Sequence, residues 1–255
     1  MMKLLKDTVQ GTFRAAGFEL TNLQNTWGVT FWGDIRRLTL GKEISTVFDV
    51  GANVGTTARL FARRFSQAQV FAFEPVPTTY KTLLENTKDI ETIKCFNIGF
   101  GDKLETKDIY IFRNSEVSTV VRNSPYAVKI LRSEPLSSAS ISLQRLDDFT
   151  VKNNVEQVQV LKIDTEGFDL QVIKGAHHLL ERNAVTFLYC EFNDLFPSSE
   201  LAGGALSDIH VTLTQENFKL VGLYVDYIKP ENEFFAVRNA LYVNTISYRN
   251  LGTLQ

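Results

Sequence analysis

The chain has 255 residues, 44% of them hydrophobic, and a net charge of −2. This length and apolar content allow one large buried core, and the weak acidic charge argues against a nucleic-acid partner held by bulk basicity. No apolar run reaches the about 20 residues of a membrane-spanning helix, and the N-terminus lacks the apolar segment of a signal peptide. Cys95 and Cys190 have no CxxC spacing, so we expect buried, reduced thiols and a cytoplasmic location.

Residues 1–45 are predicted to form an N-terminal arm or cap, and residues 46–255 to form one core domain. Apolar side chains with helical spacing predict a helix over residues 1–20. The rest of the arm carries three aromatic side chains, too many for a solvated linker: Trp27, Phe31 and Trp32. We expect them to pack the arm onto the core, with a position over the ligand site as the alternative.

The segment Thr46–Gly55 predicts a tight turn between a buried strand and a helix. Its first half is an apolar run broken only by Asp49, and apolar residues recur with helical spacing after Gly55. We interpret the glycines as a way for a ligand to approach the backbone, since a Cβ would block it. The free N–H groups at the helix N-terminus make the turn a site for a polar ligand.

Strands and helices alternate from this turn onward, which predicts a doubly wound α/β sheet. Residues 106–145 interrupt the alternation with short β-like runs, which we interpret as an inserted β excursion on the substrate side. Beyond it, the pattern predicts a buried strand at Val158–Ile163, one continuous helix reaching Leu180, and another strand at Val185–Phe192. Two last strand-like runs are joined by a short link, so we expect them to pair antiparallel.

Polar side chains recur where the predicted strands end, and the carboxyl ends of parallel strands meet at one edge of a sheet. Glu74 ends the second strand, where a carboxylate can accept both hydroxyls of a ribose, with a charge at a helix N-terminus as the alternative. The other groups at strand ends are Asp49, Asn53, Asp164, Glu166, Glu191 and Asn193. This convergence is the main functional signal in the sequence.

The turn reads Gly-x-Asn-x-Gly, whereas dinucleotide sites read Gly-x-Gly-x-x-Gly. A pyrophosphate needs close approach of the backbone at the second glycine, where this chain has Asn53. The pattern therefore favours a ligand with ribose and adenine but no phosphate, such as S-adenosylmethionine. An NAD(P)-dependent oxidoreductase on a similar fold is the alternative, and a ligand-binding protein without catalysis is a third interpretation.

Five motifs occur in order: VFDVGANVG at 47–55, FEP at 73–75, NIGFGD at 97–102, LDDF at 146–149 and LKIDTEGFDLQVIKGA at 161–176. Together they resemble the FkbM family of methyltransferases, over about residues 28–245. The resemblance implies a class I methyltransferase-like doubly wound sheet of seven strands, the last one antiparallel. It also implies S-adenosylmethionine as the methyl donor and hydroxyl acceptors on sugars or other natural products. Residues 46–255 would then be the S-adenosylmethionine-binding domain.

The resemblance also implies positions for the donor. The turn would line its methionine part, the second strand end would hold the ribose, and a later motif would lie near the adenine. The implied residues are Asp49, Gly51, Asn53 and Gly55 for methionine, Glu74 for ribose and Asp102 for adenine.

An alcohol acceptor loses a proton when it is methylated, so a nearby base assists the reaction. Asp164 is the predicted base, and Glu166 and Glu191 are predicted to position the acceptor, with stabilisation of a helix N-terminus as the alternative for Glu166. These carboxylates could instead hold Mg²⁺. We predict no metal, because no His/Asp cluster has a compelling ligand spacing. Lys162 shares a face with Asp164, and a buried lysine needs a partner, for which we expect Asp164 or Glu191.

Polar side chains within 106–145 and 193–210 predict a hydrogen-bonding rim around the acceptor. Such a rim suits the many hydroxyls of a saccharide, whereas nucleic acid would require a stronger basic stripe. We therefore expect a small-molecule or glycan acceptor, and the sequence leaves open whether the protein forms a homo-oligomer.

Overall fold

The computed structural model describes residue 15 and residues 26–112, 134–192, 204–229 and 235–251. The helices of this part are α1 Phe31–Thr39, α2 Thr56–Arg64, α3 Pro77–Thr87, α4 Leu146–Lys152, α5 Asp169–Lys174, α6 His177–Glu181, α7 Leu206–Gln215 and α8 Thr245–Asn250. The strands are β1 Thr46–Val50, β2 Gln69–Phe73, β3 Ile93–Phe96, β4 Gly99–Phe100, β5 Glu105–Ile111, β6 Ser137–Gln144, β7 Val158–Ile163, β8 Val185–Phe192, β9 Phe218–Lys229 and β10 Phe235–Asn244.

Seven strands form one sheet in the order β3-β2-β1-β7-β8-β10-β9. Strands β1, β2, β3, β7 and β8 pair in parallel, and β10 is antiparallel to both of its neighbours. In sequence order the sheet begins with β1 in its interior and continues through β2 to β3 at one edge. The chain then returns to the other side of β1, where β7 pairs with it. The predicted doubly wound sheet of seven strands with an antiparallel last strand is confirmed, and so is the antiparallel pairing of the last two strands.

Two apolar cores form because successive strand residues point to opposite faces of the sheet. Val47 of β1 belongs to the core beneath α1 and α2, and the next residue, Phe48, belongs to the core beneath α4 to α7. Phe149 of α4 lies at the centre of the second core, with five phenylalanine rings within 6.4 Å of its own: Phe48, Phe71, Phe73, Phe96 and Phe100. The LDDF motif thus supplies the ring that packs against aromatic side chains from four strands, β1 to β4.

The inserted excursion contains a three-stranded sheet in the order β4-β6-β5. Strands β5 and β6 are antiparallel partners from Glu105–Leu143 to Ile111–Ser137. Residues 113–133 of the predicted excursion lie outside the described residues. This small sheet follows the end of β3, and it stands at the same edge of the main sheet as the strand ends that were predicted to form the site.

The predicted continuous helix through Leu180 is wrong, because the segment divides into α5 and α6. The break falls at Gly175, where an added Cβ would lie only 1.9 Å from the carbonyl oxygen of Gly101. Only a residue without a Cβ can bring its backbone this near the small sheet, and a periodicity of apolar residues could not reveal that requirement.

Helix α1 packs on the main sheet through aromatic side chains. The ring of Phe31 stacks on Tyr189 with a centroid distance of 3.8 Å, and Trp32 meets Phe61 edge-on at 4.8 Å. Buried Asp34 accepts hydrogen bonds from the Tyr224 hydroxyl at 2.6 Å and the Gly28 N–H at 2.8 Å. Apart from residue 15, which is helical, the helix predicted over residues 1–20 lies outside the described residues.

None of the helices in the described part of the chain combines the length and the apolar character needed to cross a bilayer. Cys190 is a buried free thiol, whereas Cys95, expected to be buried, is only half-buried.

Candidate functional site

The turn after β1 is a left-handed loop fastened to the end of β2. The backbone φ angles of Gly51, Asn53 and Gly55 are 77°, 49° and 89°. The N–H groups of Gly51 and Ala52 both donate to the carbonyl oxygen of Phe73, at 3.0 and 2.9 Å. The turn therefore has one shape that is set by its neighbours, and helix α2 begins directly behind it.

The glycines of this turn are required for packing within the chain. An added Cβ on Gly51 would lie 1.8 Å from the carbonyl oxygen of Asp164, and one on Gly55 would lie 2.8 Å from Cδ1 of Leu83. They leave space for the backbone after β7 and for helix α3. That they also leave space for a ligand stays a prediction.

Glu74 is buried at the end of β2, and its carboxylate supports the turn. Oε2 accepts the N–H of Asn53 at 3.0 Å, and Oε1 accepts the N–H of Val76 at 2.8 Å. Burial raises the pKa of Glu74 to about 7, against the opposing effect of these two N–H groups. Each carboxylate oxygen retains a second lone pair, so Glu74 can still accept hydrogen bonds from a ligand.

Asp49 and Lys162 form a buried ion pair beneath the turn. They are register partners on β1 and β7, and Nζ of Lys162 lies 3.0 Å from Oδ1 of Asp49. The same Nζ lies 3.3 Å from Oδ2 of Asp164 and 3.3 Å from the carbonyl oxygen of Gly51. The expected contact with Asp164 is thus confirmed, but the pairing with Asp49 was not anticipated.

Asp164, Glu166 and Glu191 converge beside this pair. Each contributes a carboxylate oxygen, and the three oxygens lie within 4.8 Å of one another. Glu166 has a φ angle of 53°, so the chain turns sharply after β7 and brings its side chain back toward β8. Burial and the neighbouring carboxylates of Glu166 and Asp164 raise the pKa of Glu191 well above its usual range. A carboxylate with a raised pKa is a stronger base toward a bound hydroxyl.

Asp169, which the sequence analysis did not single out, anchors the trio from behind. Its Oδ2 accepts the N–H and the hydroxyl of Thr165 at 3.1 and 2.7 Å, and its Oδ1 accepts the N–H of Glu191 at 3.1 Å. Burial, together with the charge of Asp164, raises the pKa of Asp169 to about 7. Its position at the start of α5, within the 161–176 motif, was the available signal.

The remaining predicted residues occupy separate places. Asp102 is exposed at the end of β4, and Asn193 lies outside the described residues. His177 and His178 are exposed at the start of α6. His210 lies within α7, with Nδ1 at 3.3 Å from the hydroxyl of buried Tyr242. None of these three histidines is among the strand-end groups described above.

Comparisons with known proteins complete the description of the site. A family model described as the Methyltransferase FkbM domain matches residues 49–220. The chain is similar to the hexuronic acid methyltransferase AglP of Haloferax volcanii, with 29% identity over 70% of this chain and 71% of AglP. It is similar to the 2-O-methyltransferase NoeI of Sinorhizobium fredii, with 25% identity over 61% of this chain and 66% of NoeI. It is also similar to Methyltransferase 1 of Beauveria bassiana, with 24% identity over 51% of this chain and 58% of that protein. The chain thus spans less than two thirds of the last two relatives.

Proposed function

We propose, from the premise that this chain belongs to the FkbM methyltransferase family, that it methylates a hydroxyl group of a saccharide, a glycoconjugate or a related natural product. The methyl donor in this proposal is S-adenosylmethionine. The observation that carries the proposal is the convergence of Asp164, Glu166 and Glu191 next to the Gly51–Gly55 turn. A donor site and a set of proton-accepting groups then share one edge of the sheet.

The residues around the turn fit the donor. Asp49 is fully buried, and its Oδ2 has no hydrogen-bond partner within the described residues, so the lone pairs of this oxygen are unused and the carboxylate can attract the α-ammonium group. Glu74 keeps lone pairs for two ribose hydroxyls, at the strand end where nucleoside ligands of such sheets bind. Gly51, Asn53 and Gly55 would follow the methionine part, and Asp102 would lie near the adenine.

The chemistry required of the protein is alignment, exclusion of water and removal of one proton. The donor supplies an electrophilic methyl group on a sulfonium. As the acceptor oxygen bonds to this carbon, the carbon–sulfur bond breaks and its electron pair stays on sulfur. Asp164 takes the hydroxyl proton, and Glu166 and Glu191 hold neighbouring hydroxyls. Asp164 suits the role because its side chain is 40% exposed, whereas Asp49 is fully buried.

A polyhydroxylated acceptor suits a cluster of three carboxylates. Each carboxylate accepts more than one hydrogen bond, and adjacent sugar hydroxyls are donors at comparable spacing. The printed names of AglP and NoeI, a hexuronic acid methyltransferase and a 2-O-methyltransferase, support this class of acceptor. Much of the predicted rim lies outside the described part of the chain, namely residues 113–133 and 193–203.

The test is a methyl-transfer screen of the whole chain with nucleotide sugars, glycolipids, uronic acids, simple phenols and RNA. Turnover of a saccharide with release of S-adenosylhomocysteine is expected. Asp164→Asn should lower kcat about 10²–10⁴-fold with little change in donor affinity, since it removes only the base. Turnover limited to phenols or RNA would refute the acceptor class, and full activity of Asp164→Asn would refute its role.

Thermal unfolding separates the donor from the oxidoreductase alternative. A ligand at 100 times its Kd stabilises the folded chain by about 2.7 kcal/mol. S-adenosylhomocysteine is expected to raise the unfolding temperature and NAD is not. The opposite result would favour the nicotinamide cofactor.

A further inference from the structure

Lys162 occupies a junction between the turn and the carboxylate trio. Its side chain is 6% exposed, and its ammonium faces three oxygens: Oδ1 of Asp49, Oδ2 of Asp164 and the carbonyl of Gly51. A lysine ammonium has three N–H donors, so these contacts match its full capacity. The residue therefore joins the floor of the proposed donor site to the proposed base.

Asp49 depends on this lysine. Apart from the ion pair with Lys162, neither of its oxygens has a partner within the residues that the structure describes. Burial raises the pKa of Asp49 above its ordinary value, and Lys162 counteracts that rise. A fully buried carboxylate without a counter-ion takes up a proton. Without Lys162, Asp49 would thus lose the charge with which it can bind an ammonium group.

We infer that Lys162 is a positioning residue for methyl transfer, which holds Asp49 ionised for the α-ammonium of the donor and orients Asp164 toward the acceptor. The inference rests on the proposed function. Lys162 acts through the two carboxylates and takes up no proton itself. The unit of Asp49, Lys162 and Asp164 carries one net negative charge, which complements the single net positive charge of S-adenosylmethionine.

Three titratable groups face Asp49 within the described part of the chain. Lys162 and Asp164 approach from the end of β7, and Glu74 approaches from the end of β2. Lys162 and Asp49 both affect the pKa of Glu74, so the variants are also made in a Glu74→Gln background, in which this carboxylate no longer titrates. The comparison within that background isolates the proton on Asp49.

The experiment measures the Kd of S-adenosylhomocysteine by calorimetry from pH 6.5 to 9 in the wild type, Lys162→Met, Asp49→Asn and the double variant. Lys162→Met should bind about 10- to 100-fold more weakly at pH 6.5, the loss of one charge-assisted hydrogen bond. The ratio of its Kd to that of the wild type should narrow toward pH 9 as Asp49 ionises. At saturating donor, the kcat of Lys162→Met should remain below that of the wild type, because Asp164 has lost its contact with the Lys162 ammonium.

The double variant keeps the inference testable even when Lys162→Met fails to fold, since it leaves no buried charge unpaired. It should bind no more weakly than Asp49→Asn alone, because a residue acting through Asp49 has nothing left to act on. A further tenfold loss in the double variant would overturn the inference. So would a Lys162→Met protein with the wild-type Kd and pH profile. Failure of the wild type to bind S-adenosylhomocysteine would overturn the proposed function instead.

Lys162→Arg provides the conservative control. It retains a cation next to Asp49, so its Kd ratio to the wild type should not change with pH. A guanidinium has a different shape, so kcat is expected to recover less than donor affinity does. A pH-dependent ratio in Lys162→Arg would contradict the assignment of the titrating group to Asp49.

Discussion

A Cβ atom on Gly51 would lie 1.8 Å from the carbonyl oxygen of Asp164. These residues belong to the two halves of the proposed site, one to the donor turn and the other to the acceptor side. Their backbones touch, so neither can shift without the other. The register of β1 and β7 thereby sets the distance between the two halves.

Gly51→Ala is expected to destabilise the chain by more than the about 1–2 kcal/mol that a left-handed backbone costs an alanine. The excess arises because the Asp164 backbone must move. Gly41 is the matched control, with a φ angle of 85° and no atom within 4 Å of an added Cβ. Urea unfolding of both variants measures the difference. Equal losses would show that the contact with Asp164 relaxes freely.

Donor binding should depend on the protonation of Glu74. Its pKa of about 7 means that the carboxylate gains a proton as the pH falls through 7 and offers fewer acceptors to the ribose. The Kd of S-adenosylhomocysteine should therefore rise from pH 8.5 to pH 5.5, and Glu74→Gln should flatten the profile. A wild-type profile that is already flat would remove Glu74 from the ribose site.

The same group has the opposite effect on folding. The folded pKa of Glu74 is raised from its ordinary 4.5, so the native state binds the proton more tightly than the unfolded chain does. Its contribution to stability is greatest below about pH 4.5 and is lost as the pH rises through about 7. Glu74→Gln should remove this part of the pH dependence of unfolding.

Asp147 and Asp148 provide a matched pair within the LDDF motif. Buried Asp147 accepts the N–H groups of His178 and Leu179 at 3.1 and 3.0 Å, whereas exposed Asp148 pairs with Arg145. Asp147→Ala leaves two N–H groups without their acceptor and should cost roughly 1–3 kcal/mol or more. Asp148→Ala should cost about 0–1 kcal/mol. Chemical denaturation gives both values, and a larger loss for Asp148→Ala would contradict the assignment.

Activity is expected to survive chelation with EDTA. The Lys162 ammonium already provides a cation 3.3 Å from Oδ2 of Asp164, which opposes the binding of a metal ion beside it. The measurement is the methyl-transfer rate before and after EDTA, and after Mg²⁺ is added back. Loss of the rate with EDTA and recovery with Mg²⁺ would instead identify Asp164, Glu166 and Glu191 as ligands.

Apolar patterns predicted those parts of the fold in which burial alone decides the structure. Strands β7 and β8 have the bounds expected from their apolar runs, because strands buried on both faces read as continuous hydrophobic segments. The parallel arrangement then implied that Asp164 and Glu191 would meet. A sheet edge collects whatever follows its strands, so this part of the site could be inferred before any contact was known.

Contacts between distant segments could not be predicted in the same way. The pairing of Lys162 with Asp49 depends on the register between β1 and β7, and nothing in either strand specifies it. Likewise, Gly175 must lack a side chain because its backbone lies against Gly101, and Asp169 accepts hydrogen bonds from Thr165 and Glu191. Such roles arise only after the elements have packed.

The pairing of β5 with β6 has a consequence for how this protein could diversify. The chain leaves at Ile111 and returns at its partner Ser137, and the N–H of Leu136 donates to the carbonyl of Ile111 at 2.8 Å. Because both ends of the intervening segment are fixed, doubling its length costs only about 0.6 kcal/mol in closure entropy. Ile111 and Leu136 are therefore the points between which an engineer could exchange the intervening sequence at little cost in closure entropy.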